Sequence, residues 1–285
     1  MTAPNLQLAT TLLGSAHAPC TLVLLHGILG SAGNLRGLGR RLVAAIPAIR
    51  VALLDLRGHG ASAAYARSAG GPHSVRACAR DVELTLRAQS IEPSVIMGHS
   101  FGGKVALCYA QEFTAGDAGS VTRQIWALDS PPGDRGDPNA GEVGAVFRAV
   151  QSIAPPFESR EAMLKQLTEL GVADSIARWM TTNLKRSGSG YDWTFDLDVV
   201  RALLEDYFRV DMWPWLESRR GTPDIHLLRA ERSDRLTDDD EQRALALPPQ
   251  ARVSLHRLAN SGHWVHADNP DGLLEILVPA LSADP

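Results

Sequence analysis

Residues 98–103 read Gly-His-Ser-Phe-Gly-Gly, a G-x-S-x-G pattern centred on Ser100. The apolar run Val95-Ile96-Met97 precedes it, and Lys104–Ala110 follows with helical character. A serine hydroxyl is a poor nucleophile unless it stands clear of its neighbours, beside a base and near hydrogen-bond donors for an oxyanion. A sharp strand-to-helix turn provides the first condition. Gly98 and Gly102, at i−2 and i+2, are the positions where a Cβ would collide with such a turn.

The base must come from nine histidines. His263 is the first choice, because Ala-Asn-Ser-Gly-His-Trp follows the last predicted strand and precedes the last helix. Loops of that kind gather at the carboxyl ends of parallel strands, where the serine turn also points. His266 is its alternative, and His99 belongs to the turn and is expected to face away from Ser100. An acid is then needed to fix the imidazole tautomer. Asp234, in Ala-Glu-Arg-Ser-Asp-Arg after a predicted strand, is preferred, with Asp129 and Asp198 as alternatives. The competing readings of Asp129 and Asp198 are loop hydrogen bonding and helix capping. Two backbone N–H groups complete the set: that of Phe101, at the start of a helix, and that of Ile28 in His26-Gly27-Ile28-Leu29-Gly30, with Leu29 in reserve. Asp55-Leu56-Arg57-Gly58-His59-Gly60-Ala61-Ser62 is read as a glycine-punctuated structural turn held by Asp55 and Arg57. No cofactor is called for, and no metal site is expected, since no HExxH or Cys pair accompanies His263 and His266.

The elements that must position these residues alternate as short apolar strands and helices, which predicts a mostly parallel sheet covered on both faces. Predicted strands are Leu6–Leu13, Thr21–Leu25, Val51–Leu54, Val95–Met97, Gln124–Asp129, Ile225–Ala230 and Val253–Leu258. Helices are predicted over 34–45, over 74–89 with Ser74 as cap, and from Pro270 onward. After Asp129 the rhythm changes: Ser130–Gly136 has loop chemistry, and helices are predicted at 141–151, 159–170, 173–186 and 198–208. A helical cap over 131–222 therefore interrupts a core formed by 1–130 and 223–285. The cap holds ten of the sixteen aromatic residues, enough for its own core and for an apolar cleft over Ser100.

At 285 residues, 45% hydrophobic and 21% charged with a net charge of −4, the chain suits a globular protein and lacks the basic balance of a nucleic-acid binder. Cys20, Cys78 and Cys108 are odd in number and widely spaced, so buried free thiols and a reducing compartment are expected. No secretory signal is read in Met1–Gly14, and no apolar run reaches the roughly 20 residues of a membrane span. The expected location is intracellular, cytoplasmic or organellar, as monomer or homodimer.

His-Gly after strand three, D-x-R-G-x-G-x-S after strand four, G-H-S-F-G-G at the turn and S-G-H-W near the end occur in order. In this the chain resembles the α/β-hydrolase superfamily over nearly its whole length. More narrowly, H-G-I-L-G-S-x-x-N-L, G-H-S-F-G-G-K and G-H-W-V-H-A-D-N-P resemble the YbfF-type esterases and their eukaryotic organellar relatives. The resemblance implies an α/β-hydrolase fold with the cap inserted after strand 6 in the family's count. It implies Ser100 as nucleophile, His263 as base, and Phe101 and Ile28 as oxyanion donors. The implied activity is hydrolysis of small-molecule carboxylic esters bearing small or medium apolar acyl groups. Acyl-thioester or C–C cleavage with the same residues, and a small-molecule receptor that retains them, are the alternatives.

Overall fold

The computed structural model describes residues 7–114, 121–138 and 141–282. Its strands are β1 Thr10–Leu13, β2 Cys20–Leu25, β3 Ile49–Leu54, β4 Val95–His99, β5 Gln124–Leu128, β6 Leu184–Ser187, β7 Gly190–Trp193, β8 Asp224–Ala230 and β9 Val253–Leu258. Its α-helices are α1 Arg36–Ala45, α2 Tyr65–Ala69, α3 Val75–Ala88, α4 Phe101–Phe113, α5 Gly141–Ser152, α6 Arg160–Glu169, α7 Asp174–Met180, α8 Leu197–Arg209, α9 Trp213–Ser218, α10 Asp238–Leu245, α11 Val265–Asp268 and α12 Pro270–Ser282. Seven strands form one sheet in the order β1-β3-β2-β4-β5-β8-β9, parallel throughout except for β1, which runs antiparallel to β3 at the edge. This is the α/β-hydrolase fold expected from the sequence. Of the predicted edge strand, Thr10–Leu13 is paired, and Leu6 lies outside the described residues.

The central strands β2, β4 and β5 are buried at every position because both faces of the sheet are covered. Successive residues divide between two cores. Val23 and Leu25, Ala52 and Leu54, Ile96, Ile125 and Ala127 face α3 and α4. Leu22 and Leu24, Val51 and Leu53, Val95 and Met97, Trp126 and Leu128 face α1 and α12. The helix stripes answer them: Cys78, Val82 and Leu86 on one side, Leu38, Leu42, Leu273 and Leu277 on the other. Ser74 caps α3 by accepting from the Ala77 N–H, as its position predicts. Cys20, Cys78 and Cys108 are buried and free. No helix among the described residues is long and apolar enough to cross a membrane.

Between β5 and β8 the chain departs from the sheet. Helices α5, α6, α7, α8 and α9 pack there, and their apolar residues continue the core on the α3–α4 side. One predicted element is different. The helix expected over 173–186 stops at Met180, and Leu184–Ser187 pairs with Gly190–Trp193 as a hairpin. The Gly188-Ser189 turn explains this: Gly188 has φ +58, the left-handed conformation that two-residue hairpin turns require. Gly190 is needed too, since a Cβ there would lie 2.5 Å from the Phe157 carbonyl oxygen.

One buried side chain fastens this segment to the sheet. Lys104, in the first turns of α4, is fully buried and donates to the carbonyls of Gly133 (2.7 Å), Tyr207 (2.9 Å) and Val210 (3.0 Å). The Tyr207 and Val210 carbonyls lie at the C-terminal end of α8, where a cation meets both orphan acceptors and the helix dipole. Burial, and then the Arg135 charge, push the amine down to about 7. Lys104→Met keeps the volume but orphans three carbonyls, each worth about 1 kcal/mol. We expect a melting temperature lower by roughly 6–12 °C, with α4 intact by circular dichroism. An unchanged melting temperature would remove Lys104 as a fastening.

Candidate active site

The turn between β4 and α4 is compressed from two sides. A Cβ on Gly98 would lie 2.0 Å from the Gly102 carbonyl, and one on Gly102 would lie 2.4 Å from the Leu25 carbonyl oxygen of β2. Ser100 accordingly takes φ 53 and ψ −119, a strained conformation for a residue with a side chain. Of the six non-glycine residues with positive φ among those described, Leu29, Ser100, Asp129 and Asn260 follow β2, β4, β5 and β9. Backbone strain is thus concentrated at the carboxyl edge of the sheet.

At that edge three side chains form a hydrogen-bonded line. Ser100 Oγ lies 3.0 Å from His263 Nε2, and His263 Nδ1 lies 2.7 Å from Asp129 Oδ2. A carboxylate can only accept, so Nδ1 carries the proton and Nε2 is left to accept from the serine. Asp129 is fully buried, and its Oδ1 accepts from the Ala230 N–H at 3.1 Å. Its Oδ2 also accepts from Ser233 Oγ at 2.5 Å. The ring is steadied from behind, where His99 Nε2 donates to the His263 carbonyl at 2.7 Å. Burial pushes His99 well below the usual imidazole range, so this ring is neutral.

The structure does not bring Asp234, the preferred acid, to this line. Its side chain is 85% exposed and faces Arg235. The turn after β8, closed by Ser233 N–H to Ala230 O, sends Ser233 inward and Asp234 outward. The loop that was to supply a carboxylate supplies a hydroxyl to one, and the carboxylate sits at the end of the preceding strand. Asp198 is also remote, 90% exposed in the first turn of α8. Capping there falls to Asp196, whose Oδ1 accepts from the Asp198 and Val199 N–H groups. His266 packs on the His99 ring at 5.2 Å and makes no hydrogen bond to Ser100.

The His-Gly loop after β2 is set by two further histidines. His26 Nδ1 donates to the Gly27 carbonyl while Nε2 accepts from the Leu56 N–H at 2.9 Å. His59 Nδ1 donates to the Arg57 carbonyl while Nε2 accepts from the Leu29 N–H at 3.2 Å. Leu29 is thereby engaged, and the N–H groups of Ile28 and Phe101 have no partner among the described residues. The glycine-punctuated turn is structural throughout. Asp55 accepts from Ala32 and Ala61 N–H, and Arg57 pairs with buried Asp81 at 2.6 Å. Sequence reasoning missed what His59 does; its spacing two residues after Arg57 gave no hint of a contact to Leu29.

Two clefts meet at Ser100. One is walled by Ile28, Leu29, Val146, Ile176, Trp179 and Trp264, with His263 and Arg235 at its edge. The other, of about 190 Å³, lies toward Phe101, Leu204, Tyr207 and Phe208 and also contains Arg235.

A family profile described as the alpha/beta hydrolase family matches residues 22–276. Among curated proteins, the chain is similar to esterase YbfF of Escherichia coli (strain K12), 30% identical over 263 residues that cover 92% of each chain. It is also similar to sn-1-specific diacylglycerol lipase ABHD11 of Mus musculus, 28% identical over 276 residues, covering 94% of this chain and 83% of that one. Among solved structures, a marine microorganism esterase superposes with a TM-score of 0.78 at 23% identity, covering 98% of this chain and 100% of the other.

The loop histidines make the site acid-sensitive. Burial lowers His26 to about 4 and His59 to about 3, His59 also feeling His26, against 6.5 for a free imidazole. Between these values the unfolded chain binds the extra protons, so stability is full above about pH 6.5 and falls as the pH drops toward 4. Melting temperatures measured from pH 7.5 to 4.5 are expected to decline over that window. His59→Gln, whose carbonyl still accepts from Leu29, is expected to flatten the slope; an unchanged slope would exclude His59 as a contributor.

Proposed function

The chain belongs to the alpha/beta hydrolase family, and on that premise we propose that it is a serine esterase cleaving carboxylic esters of small or medium apolar acyl groups. The observation that carries this reading is the line from Ser100 Oγ through His263 to buried Asp129, at the point where two clefts meet. In this reading His263 Nε2 takes the Ser100 proton as Oγ attacks the ester carbonyl. The N–H groups of Phe101 and Ile28 receive the oxyanion, assisted by the dipole of α4. Asp129 holds the Nδ1–H tautomer and stabilises the imidazolium. His263 then protonates the departing alcohol, leaving an acyl-Ser100, and afterwards activates the water that releases the acid. Ile28, Leu29, Val146, Ile176, Trp179 and Trp264 offer the acyl group an apolar wall. Esterase YbfF and the marine microorganism esterase, similar over nearly the whole chain, support ester hydrolysis as the chemistry. We assign the cap to 131–222, from which Val146, Ile176, Trp179, Leu204, Tyr207 and Phe208 line the two clefts.

Hydrolysis of p-nitrophenyl acetate, butyrate and octanoate tests the assignment. Ser100→Ala is expected to lose roughly 10⁴–10⁶-fold in kcat, and Asp129→Asn roughly 10⁴-fold through the wrong imidazole tautomer. Asp234→Asn is expected to stay within about threefold, as an exposed side chain off the hydrogen-bonded line should. A large loss in Asp234→Asn with an active Asp129→Asn would return the acid to Asp234.

A further inference from the structure

Arg235 borders both clefts that open on Ser100. Its side chain is only 17% exposed, yet its guanidinium is poorly satisfied. The Nε is buried with no hydrogen-bond partner, and the two neighbouring carboxylates, Glu142 and Asp234, stand at 3.4 Å. Charge-assisted bonds to arginine normally close to about 2.7–2.9 Å. Arg57 shows what a saturated buried guanidinium looks like in this same chain, gripping Asp81 through bonds of 2.6 and 2.8 Å. Arg135 lines the second cleft too and leaves its Nε unpartnered, but its charge is met by Asp240. Asp137 and Asp234 stand exposed at the rim. Among the described residues, Arg235 is therefore the cation lining the second cleft whose charge no closely bonded carboxylate meets. Its field is felt at the centre: His99 and Tyr207, whose titration is governed first by burial, both also respond to the Arg235 charge.

We infer that Arg235 receives an anionic oxygen group, a carboxylate or a phosphate, on the alcohol arm of the ester, while the acyl arm occupies the apolar cleft. This deepens the serine-esterase reading and rests on it. The Nε–H and one Nη–H form a fork that suits two oxygens of one anion. An anion arriving there displaces the loose contacts to Glu142 and Asp234, whose carboxylates are exposed enough to return to water. Phe208, Tyr207 and Leu204 flank the cleft and would cover a short apolar spacer between the ester oxygen and the anion.

The test uses butyrate esters with the same two-carbon spacer that differ at the far end of the alcohol arm: 3-(butanoyloxy)propanoate, 2-(butanoyloxy)ethyl phosphate and the uncharged 3-(butanoyloxy)propanamide. The wild type is expected to favour at least one anion over the amide by roughly tenfold or more in kcat/KM. Arg235→Gln should bring that ratio close to one, and Glu142→Gln, which removes a competing carboxylate, should raise it. Whichever anion is preferred identifies the source. Three results would overturn the inference: no anionic preference in the wild type, an equal loss on all three esters in Arg235→Gln, or a preference that appears instead for monoethyl succinate, charged on its acyl arm, over the uncharged ethyl succinamate. Failure of the esterase reading is separately visible, as absence of Ser100-dependent hydrolysis of p-nitrophenyl butyrate.

Discussion

One crowded turn governs much of what surrounds it. The backbone of the turn after β4 passes the end of β2 with no room for a Cβ at Gly102, and passes itself with none at Gly98. Those two clearances force Ser100 to positive φ and aim the first turn of α4 at the carboxyl edge of the sheet. The same contact brings the turn beside the His-Gly loop, so the unengaged N–H groups of Phe101 and Ile28 come from two strands that are neighbours in the sheet. It also places Lys104, one turn further along α4, beneath the segment between β5 and β8. Position of the hydroxyl, of the donors and of the covering segment all follow from one crowded turn.

Around that turn the charges are sparingly distributed. Asp129 has no solvent contact and is met by three donors, from His263, Ser233 and Ala230. The imidazoles that support the site, His26, His59 and His99, are kept neutral by burial and spend both or one of their nitrogens on backbone groups. In a low-dielectric pocket a stray charge would disturb every neighbouring titration. The surroundings thus leave a single buried carboxylate beside His263, and among the described residues Arg235 is the nearby cation met only by loose carboxylate contacts.

Much of this was legible in the sequence where the determinants are local. Gly98, Ser100 and Gly102 announce the turn because a strained backbone permits few residue types. His263 was accessible because a Ser-Gly-His loop followed the last strand. The carboxylate that meets His263 was not, since whether Asp129 or Asp234 reaches it depends on the phase of a turn. After β8 a single hydrogen bond from Ser233 N–H to Ala230 O decides which side chain points inward. Likewise the Leu29 N–H is engaged by His59, thirty residues away along the chain. The hairpin Leu184–Trp193 escaped notice because its strands are polar and short, and only the Gly188-Ser189 pair marks it.

The way the inserted segment is tied down bears on how this architecture diversifies. Its two ends lie together: Arg135 N–H bonds to the Phe208 carbonyl, Met212 N–H bonds to the Pro132 carbonyl, and one amine spans Gly133 and Val210. A stretch whose ends already meet closes a loop of nearly fixed entropic cost, because that cost grows only as the logarithm of length. Lengthening or shortening of what lies between costs little where it spares the apolar residues that continue the core. The ceiling over Ser100 can thus vary in length between its fixed ends while the hydrogen-bonded line below it stays constant.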